Sequence, residues 1–200
     1  MFQNFASSEL NWLPEIGIGY YPVKEAPYDK KYFERYQAMK NTEIGLALNK
    51  ARVDLVAKYT DKDVLDIGIG SGAFVESIDN AKGFDINPFA VEWLVENHRF
   101  KHPLRGANSM TFWDSLEHIH DPREYLNNAK EYVFISCPIF KDCEHLLGSK
   151  HKRYDEHCWY FTEEGLIIFM WAFGFKCLEV NAMETEIGRE DIKTFVFKRV

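Results

Sequence analysis

Three residues suited to proton transfer lie within five positions of one another, at Asp114, Glu117 and His118. If this segment forms a helical turn, spacings of three and four bring the three side chains to one face. A histidine near its unperturbed pKa of about 6.5 can accept a proton from an attacking hydroxyl or amine. A second imidazole, His157, lies in a later segment that mixes cations, histidines and aromatics. We therefore predict that His118, His157 and Glu117 are the catalytic residues.

A glycine-rich turn precedes this cluster, in the stretch Asp66-Ile67-Gly68-Ile69-Gly70-Ser71-Gly72. The apolar run Val64-Leu65-Asp66-Ile67 predicts a buried strand before it, and a helix is expected from about Gly72. Glycines between a strand and a helix let the backbone approach a nucleotide-like ligand at the carboxyl end of a sheet. Asp85 follows the next predicted strand, where its carboxylate can accept hydrogen bonds from both hydroxyls of a ribose.

The glycine turn alone fits two cofactors, because Gly68, Gly70 and Ala73 also satisfy the dinucleotide pattern G-x-G-x-x-A. Asp66 favours one of them, since a carboxylate two residues before the first glycine would repel a pyrophosphate. The same carboxylate suits the ammonium and sulfonium charges of S-adenosylmethionine (SAM). The ribose contact predicted for Asp85 serves either cofactor, so a nicotinamide-dependent oxidoreductase stays open as an alternative.

Three segments together resemble class I SAM-dependent methyltransferases. The stretches from Val64 to Gly72 and from Gly83 to Pro88 resemble motifs I and II of that superfamily. The stretch from Phe112 to Pro122 resembles its D-x-L-E-H-x-x-D-P segment after the fourth strand, and the last two predicted strands resemble its closing hairpin. The resemblance covers about residues 30–200. It implies SAM as the methyl donor and S-adenosylhomocysteine as the product.

The resemblance also implies which residues hold the cofactor. It assigns the methionine moiety to Asp66, Gly68, Gly70 and the Trp113 backbone, the ribose to Asp85 and the adenine to Ile86. The predicted cofactor-binding residues are Asp66, Gly68, Gly70, Gly72, Asp85, Ile86, Trp113 and Asp114. The main prediction is methyl transfer to an oxygen or nitrogen atom of a small or terminal acceptor.

A second resemblance keeps a divalent metal open. With Asp114 in the first place, the D-x-x-E-H segment is similar to the E-x-x-E-H metal cluster of small-RNA 2′-O-methyltransferases. The stretch His157-Cys158-Trp159 resembles the segment that carries their last histidine ligand, and such ligands suit Mg²⁺ or Mn²⁺. Two alternatives therefore stay open, a metal-assisted RNA 2′-O-methyltransferase and a non-catalytic SAM-binding protein. The basic run from Lys150 to Arg153 also favours the first of them.

The alternation of predicted strands and helices positions these residues. It predicts a Rossmann-like, doubly wound α/β fold with a mostly parallel sheet, helices on both faces and a C-terminal antiparallel hairpin. Only Lys101 to Ala107 separate the second helix from the strand at Met110, so the third strand of the family is missing or vestigial. Residues 1–30 are predicted to be an N-terminal arm or lid, and residues 31–200 the methyltransferase domain.

Composition restricts the partners. The 200 residues carry a net charge of −7, which disfavours binding to nucleic acid phosphates. No apolar run is long enough to cross a bilayer, and the four cysteines are irregularly spaced, so we expect a cytoplasmic protein without disulfides. A small-molecule acceptor is the expected partner. The sequence leaves the identity of the acceptor, the metal requirement and the oligomeric state open.

Overall fold

The computed structural model describes residues 3–4, 9–23 and 28–200, which form two β-sheets with helices packed around the larger one. The strands β1 to β10 are Gln3–Asn4, Asn11–Leu13, Ile18–Tyr20, Val64–Ile67, Ala81–Phe84, Ala107–Trp113, Ala129–Pro138, Trp159–Phe161, Phe175–Asn181 and Ile192–Arg199. The helices α1 to α8 are Lys30–Met39, Glu43–Tyr59, Ala73–Glu76, Pro88–Glu96, Arg123–Leu126, Cys143–Gly148, Glu163–Ala172 and Met183–Glu186. Pro103–Arg105 and Leu116–His118 are single turns of 3-10 helix.

The larger sheet has the strand order β5-β4-β6-β7-β10-β9. Its first four strands are parallel, and β10 runs antiparallel to both β7 and β9. Neighbouring strand residues face opposite sides: Val133 and Ile135 belong to one apolar core, and Phe134 belongs to another. Helix α7 packs on the first core and helices α2 and α4 on the second. The predicted fold is confirmed, with helices on both faces and a closing antiparallel pair.

Strand β5 lies at the edge of the larger sheet, where the family has one more strand. The short segment between α4 and β6 predicts that this strand is missing or vestigial. In the part of the chain that the structure describes, Gly83 and Phe100 form only an isolated parallel bridge. The Gly83 amide donates to the Arg99 carbonyl at 2.8 Å, and the Lys101 amide donates to the Gly83 carbonyl at 3.0 Å. These two hydrogen bonds satisfy the backbone of Gly83 alone, so the outer edge of β5 has no full strand beside it among the described residues.

Side-chain caps begin the helices where the sequence predicts them. The amide of Gly45 donates to the Thr42 hydroxyl at 3.1 Å, and the amide of Phe89 donates to the Asn87 side chain at 3.0 Å. Such caps satisfy amides that the first turn of a helix leaves without a partner. The helix expected from about Gly72 is present but short, since α3 spans only four residues.

A second, smaller sheet joins the N-terminal region to the segment after β7. Its order is β1-β2-β3-β8, and Ile18–Tyr20 pairs antiparallel with Trp159–Phe161. Strand β8 was not predicted, since the segment around His157 shows a mixture of cations, histidines and aromatics and no clear strand pattern. Part of the predicted arm, residues 1–2, 5–8 and 24–27, lies outside the described residues, and the role of residues 1–30 as a lid stays a prediction. Among the described residues, no helix combines the length and apolarity needed to span a membrane.

Candidate functional site

A cavity of about 460 Å³ lies at the carboxyl ends of β4, β5 and β6. This volume is within the range of small-molecule sites, and the carboxyl edge of an open parallel sheet is where such folds bind ligands. Ten of the eleven predicted site residues line it. They are Asp66, Gly68, Gly70, Asp85, Ile86, Trp113, Asp114, Glu117, His118 and His157.

The glycine turn brings the backbone to the cavity wall. Gly68 has φ of +79°, and a Cβ there would lie 2.7 Å from the Cβ of Ser115, so only glycine fits. Gly72, the eleventh predicted residue, does not line the cavity. Its φ is +76°, and a Cβ would lie 2.5 Å from the Trp93 ring, so the structure gives Gly72 a packing role at the start of α3.

Asp85 is held in place between the glycine turn and helix α4. One carboxylate oxygen accepts from the Ile69 amide at 3.0 Å and the other from the Asn87 amide at 2.8 Å. Burial raises the pKa of Asp85, and these backbone hydrogen bonds oppose the shift. A carboxylate has about four lone-pair positions, so Asp85 keeps acceptor capacity for a ligand hydroxyl beside its bonds to the backbone. The next residue, Ile86, is 65% exposed at the cavity.

Asp66 is the penultimate residue of strand β4, just before the glycine turn, and is buried. The Thr111 hydroxyl on the neighbouring strand β6 donates to it at 2.6 Å. Burial raises the pKa of Asp66 to about 7, against the opposing effects of Thr111 and Arg52. A carboxyl that is easily neutralised without a ligand would ionise when a cation binds beside it.

The helical turn that we expected to carry Asp114, Glu117 and His118 includes only the last two, although all three residues line the cavity. Asp114 has φ of 55° and follows β6, so the 3-10 turn begins only after it. Two arginines hold its carboxylate: Arg52 donates at 3.1 Å and Arg189 at 3.0 Å. Burial alone would raise the pKa of Asp114, but the two guanidinium groups outweigh burial and lower it. Asp114 is therefore an ionised member of an ion-pair network.

The other members of this network, Arg52, Glu184 and Arg189, were not predicted from the sequence. Arg52 lies on α2, and Glu184, on α8, is fully buried and accepts from Arg52 at 2.7 and 2.9 Å. Arg189 also pairs with Glu184. Arg52 lies 62 positions from Asp114 and 132 positions from Glu184, and Arg189 lies 75 positions from Asp114. No local pattern in the sequence links residues so far apart.

Glu117, His118 and His157 meet as predicted, with one potential ligand atom of each within 4.8 Å of the others. The rings of His118 and His157 are perpendicular, with centroids 4.7 Å apart. The amide of Cys158 donates to the Glu117 carbonyl at 2.8 Å, which ties the two segments together. Both carboxyl oxygens of Glu117 and Nδ1 of His157 are buried without a hydrogen-bond partner among the described residues.

Burial determines the charge of this cluster. Burial lowers the pKa of His118 to about 4, although Asp114 opposes the shift. Burial lowers the pKa of His157 to about 2, with further contributions from His118 and Arg153. Burial and Asp114 raise the pKa of Glu117 well above its usual value. At neutral pH the two imidazoles are thus neutral and can accept a proton, and burial favours the uncharged form of the Glu117 carboxyl.

Three tyrosines that were not singled out in the sequence line the cavity, two on helix α1 and one just before it. They are Tyr28, Tyr32 and Tyr36, and the Tyr28 hydroxyl lies 3.5 Å from Nδ1 of His118. Gln37 anchors the helix by donating to the Ser71 carbonyl at 2.7 Å. The spacing of four between Tyr32 and Tyr36, which places them on one face of α1, was the available signal.

The basic run at residues 150–153 is largely neutralised. Lys150 pairs with Glu190 at 2.8 Å, and Arg153 pairs with Glu156 at 2.7 Å. His151 and Arg153 line the cavity. These pairs reduce the charge that the run could offer to a phosphate backbone.

Solved structures share this fold at low sequence identity. The magnesium protoporphyrin IX methyltransferase of Synechocystis, solved with bound S-adenosylhomocysteine, is 13% identical with a TM-score of 0.63, over 86% of this chain and 96% of that one. A SAM-dependent methyltransferase of Thermotoga maritima, a possible histamine N-methyltransferase, is 15% identical with a TM-score of 0.59, over 85% and 96%. A [4+2]-cyclase is 15% identical with a TM-score of 0.58, over 80% and 83%.

Sequence comparison with curated proteins found no match. A family model described as a methyltransferase domain matches residues 34–180, which is most of the chain. The match spans the glycine turn, Asp85 and the cluster of Glu117, His118 and His157. Together with the strand order and the closing antiparallel pair, it shows that the chain belongs to the methyltransferase domain family and is a class I SAM-dependent methyltransferase.

Proposed function

We propose that this protein transfers the methyl group of SAM to an oxygen or nitrogen atom of a small acceptor bound in the same cavity. One observation carries the proposal. The cavity joins the groups suited to a nucleoside, at the glycine turn and Asp85, to the cluster of Glu117, His118 and His157. A donor and an acceptor of a methyl group would therefore meet without crossing solvent.

The cofactor would lie along the ends of β4, β5 and β6. Asp66, Gly68, Gly70 and the Trp113 backbone are proposed to hold the methionine moiety. The remaining acceptor capacity of Asp85 suits the ribose hydroxyls, and the exposed side chain of Ile86 offers an apolar surface to the adenine. When bound, SAM supplies an electrophilic methyl group on a sulfonium.

The acceptor end would orient the attacking atom and remove its proton. Methyl transfer from a sulfonium requires in-line alignment more than protein chemistry, so positioning accounts for most of the acceleration. His118 is neutral at pH 7 and retains a lone pair on its ring, and it is proposed to take the acceptor's proton. His157 and Glu117 would orient His118 and relay that proton.

Formation of S-adenosylhomocysteine from SAM across a panel of small alcohols, phenols and amines tests the proposal. His118→Gln should lower turnover about 100-fold or more while leaving the affinity for S-adenosylhomocysteine unchanged. His120→Gln is the matched control, because His120 does not line the cavity and bonds Tyr20 instead. Full activity of His118→Gln would refute its role. Tight SAM binding without turnover on any acceptor would favour the non-catalytic SAM-binding protein.

A metal-assisted RNA 2′-O-methyltransferase is the second candidate. The unpartnered oxygens of Glu117 beside His118 and His157 support it, because carboxylate and imidazole ligands could hold Mg²⁺ or Mn²⁺. Against it, Asp114, the first place of the resembling cluster, is held by arginines, and residues 150–153 are largely paired. Methylation of RNA that requires added Mn²⁺ and is abolished by EDTA would establish this candidate. Turnover of a small acceptor in EDTA would exclude it.

A further inference from the structure

Four aromatic rings line the end of the cavity where the acceptor is proposed to bind. Tyr32 lies on α1 and Tyr28 just before it, and their rings are perpendicular with centroids 5.1 Å apart. The other two rings are the perpendicular pair of His118 and His157. The Tyr28 hydroxyl, 3.5 Å from Nδ1 of His118, joins one pair to the other. All four residues line the cavity, so aromatic surface extends from α1 to the proposed base.

The two tyrosines have no part in the hydrophobic cores. Helix α1 has no buried residue, and although its Phe33 packs against the second core, Tyr28 and Tyr32 belong to none of the cores among the described residues. Tyr36, one turn further along α1, lies on the cofactor side, since a Cβ added at Gly70 would be 3.5 Å from its ring. The rings of Tyr28 and Tyr32 are therefore available to an acceptor rather than needed for the fold.

The contact between Tyr28 and His118 is too long to satisfy both groups. A separation of 3.5 Å exceeds the usual length of a hydrogen bond from a hydroxyl. A tyrosine hydroxyl is a donor at neutral pH, and a neutral imidazole has one ring nitrogen that accepts. The hydroxyl of a ligand both accepts and donates, so it can accept from Tyr28 while it donates to His118. The pair thus suits an acceptor that carries a hydroxyl.

The charged side chains at this end favour an acceptor without charge. Arg153 lines the cavity, but its guanidinium already donates to Glu156 at 2.7 Å, which weakens its attraction for an anion. The guanidinium of Arg35 lies 4.8 Å from the centre of the Tyr32 ring and covers one face of it. The edge and the other face remain for a ligand, and aromatic rings pack favourably in edge-to-face and offset arrangements. A flat, uncharged molecule with a hydroxyl matches these features.

We propose that the acceptor is a phenol whose ring packs against Tyr28 and Tyr32 and whose hydroxyl lies between Tyr28 and His118. This inference rests on the proposed methyl transfer and specifies its acceptor. A lone pair of the phenol oxygen forms the new O–CH3 bond, the S–CH3 bond of SAM breaks with its electron pair remaining on sulfur, and the hydroxyl proton passes to His118. The products are an aryl methyl ether and S-adenosylhomocysteine.

Binding of 2-naphthol and of decahydro-2-naphthol to protein saturated with S-adenosylhomocysteine tests the aromatic contact. Both probes carry one hydroxyl on two fused six-membered rings, and only the first is flat and aromatic. Calorimetry should show that wild type prefers 2-naphthol by about 10-fold, as expected for packing against two aromatic side chains. Tyr32→Leu and Tyr28→Leu should each reduce the preference to less than about threefold. Tyr21→Leu is the matched control, because Tyr21 stacks on Tyr154 and does not line the cavity.

Turnover of 2-naphthol tests the hydroxyl of Tyr28. Tyr28→Phe keeps the ring and removes the donor, so it should lower kcat/KM about 10-fold while the preference for 2-naphthol over decahydro-2-naphthol is retained. Tyr20→Phe is the control, because the Tyr20 hydroxyl bonds Nδ1 of His120 at 2.9 Å and neither residue lines the cavity.

The preference is a ratio measured within each folded variant, so a loss of stability does not produce the predicted change. Equal affinity of wild type for the two probes, or binding of neither, would overturn the inference, as would an unchanged preference in both leucine variants or unchanged turnover in Tyr28→Phe. Turnover confined to amines and aliphatic alcohols would also overturn it and leave the proposed methyl transfer intact. If wild type forms no S-adenosylhomocysteine from SAM with any acceptor, the proposed function itself fails.

Discussion

Replacing Asp66 with asparagine probes the electrostatics at the end of β4. Burial raises the pKa of Asp66 from 3.8 to about 7 in the ligand-free protein. Because the folded pKa lies above the unfolded one, the stabilisation from this group is complete below about pH 4 and is lost as the pH rises through about 7. From these two values, the raised pKa lowers the free energy of unfolding by about 2 kcal/mol at pH 5 and about 4 kcal/mol at pH 8, because the carboxyl ionises more readily in the unfolded chain.

Urea unfolding of ligand-free wild type and Asp66→Asn at pH 5 and pH 8 measures this cost. The amide does not ionise, so the stability of the variant relative to wild type should increase by about 2 to 3 kcal/mol between the two pH values. Other titrating groups contribute equally to both proteins and cancel in the comparison. Saturating SAM should stabilise wild type more than Asp66→Asn, because the ammonium of SAM would lie beside the ionised carboxylate. An identical pH dependence of the two proteins would refute the assignment.

Three further changes test single contacts. Glu184→Ala leaves two guanidinium groups without their shared buried partner and should lower the free energy of unfolding in urea by about 3 to 5 kcal/mol, so a loss below about 1 kcal/mol would contradict the network. Gly72→Ala forces a Cβ against Trp93 at positive φ and should cost about 1 to 3 kcal/mol in the same assay. Because Gly72 does not line the cavity, the affinity of folded Gly72→Ala for S-adenosylhomocysteine should stay within a few-fold of wild type. A larger loss of affinity in the folded variant would show that Gly72 belongs to the cofactor site. Gln37→Ala removes the bond that anchors α1 to the glycine turn and should speed amide hydrogen exchange in that helix, whereas unchanged exchange would show that other contacts hold it.

Signals local to the chain predicted the frame of the site. Short apolar runs mark β4 and β7, and the side chains of Thr42 and Asn87 mark the starts of α2 and α4. The position of Asp85 after β5 followed from the same regularity, because the carboxyl ends of parallel strands share one edge of the sheet. These features depend on neighbours within a few residues, so one sequence is enough to predict them.

Contacts between distant segments were beyond such reasoning. Strand β8 forms because it pairs with β3, about 140 residues earlier, and the three residues Trp159–Phe161 alone carry no unambiguous strand signal. The spacing of Asp114 from Glu117 favours a shared helical turn, but Asp114 has a left-handed backbone outside that turn, and its carboxylate pairs with Arg52 and Arg189. Tertiary electrostatics here override the helical pattern.

Calorimetric titration of the purified protein with S-adenosylhomocysteine and with NAD, in wild type and Asp85→Ala, tests the central claim most directly. Wild type should bind S-adenosylhomocysteine and not NAD. Asp85→Ala should lose at least 10-fold in affinity, because the substitution removes the acceptor of the ribose hydrogen bonds. Binding of NAD, or no binding of either ligand by folded wild-type protein, would contradict the claim.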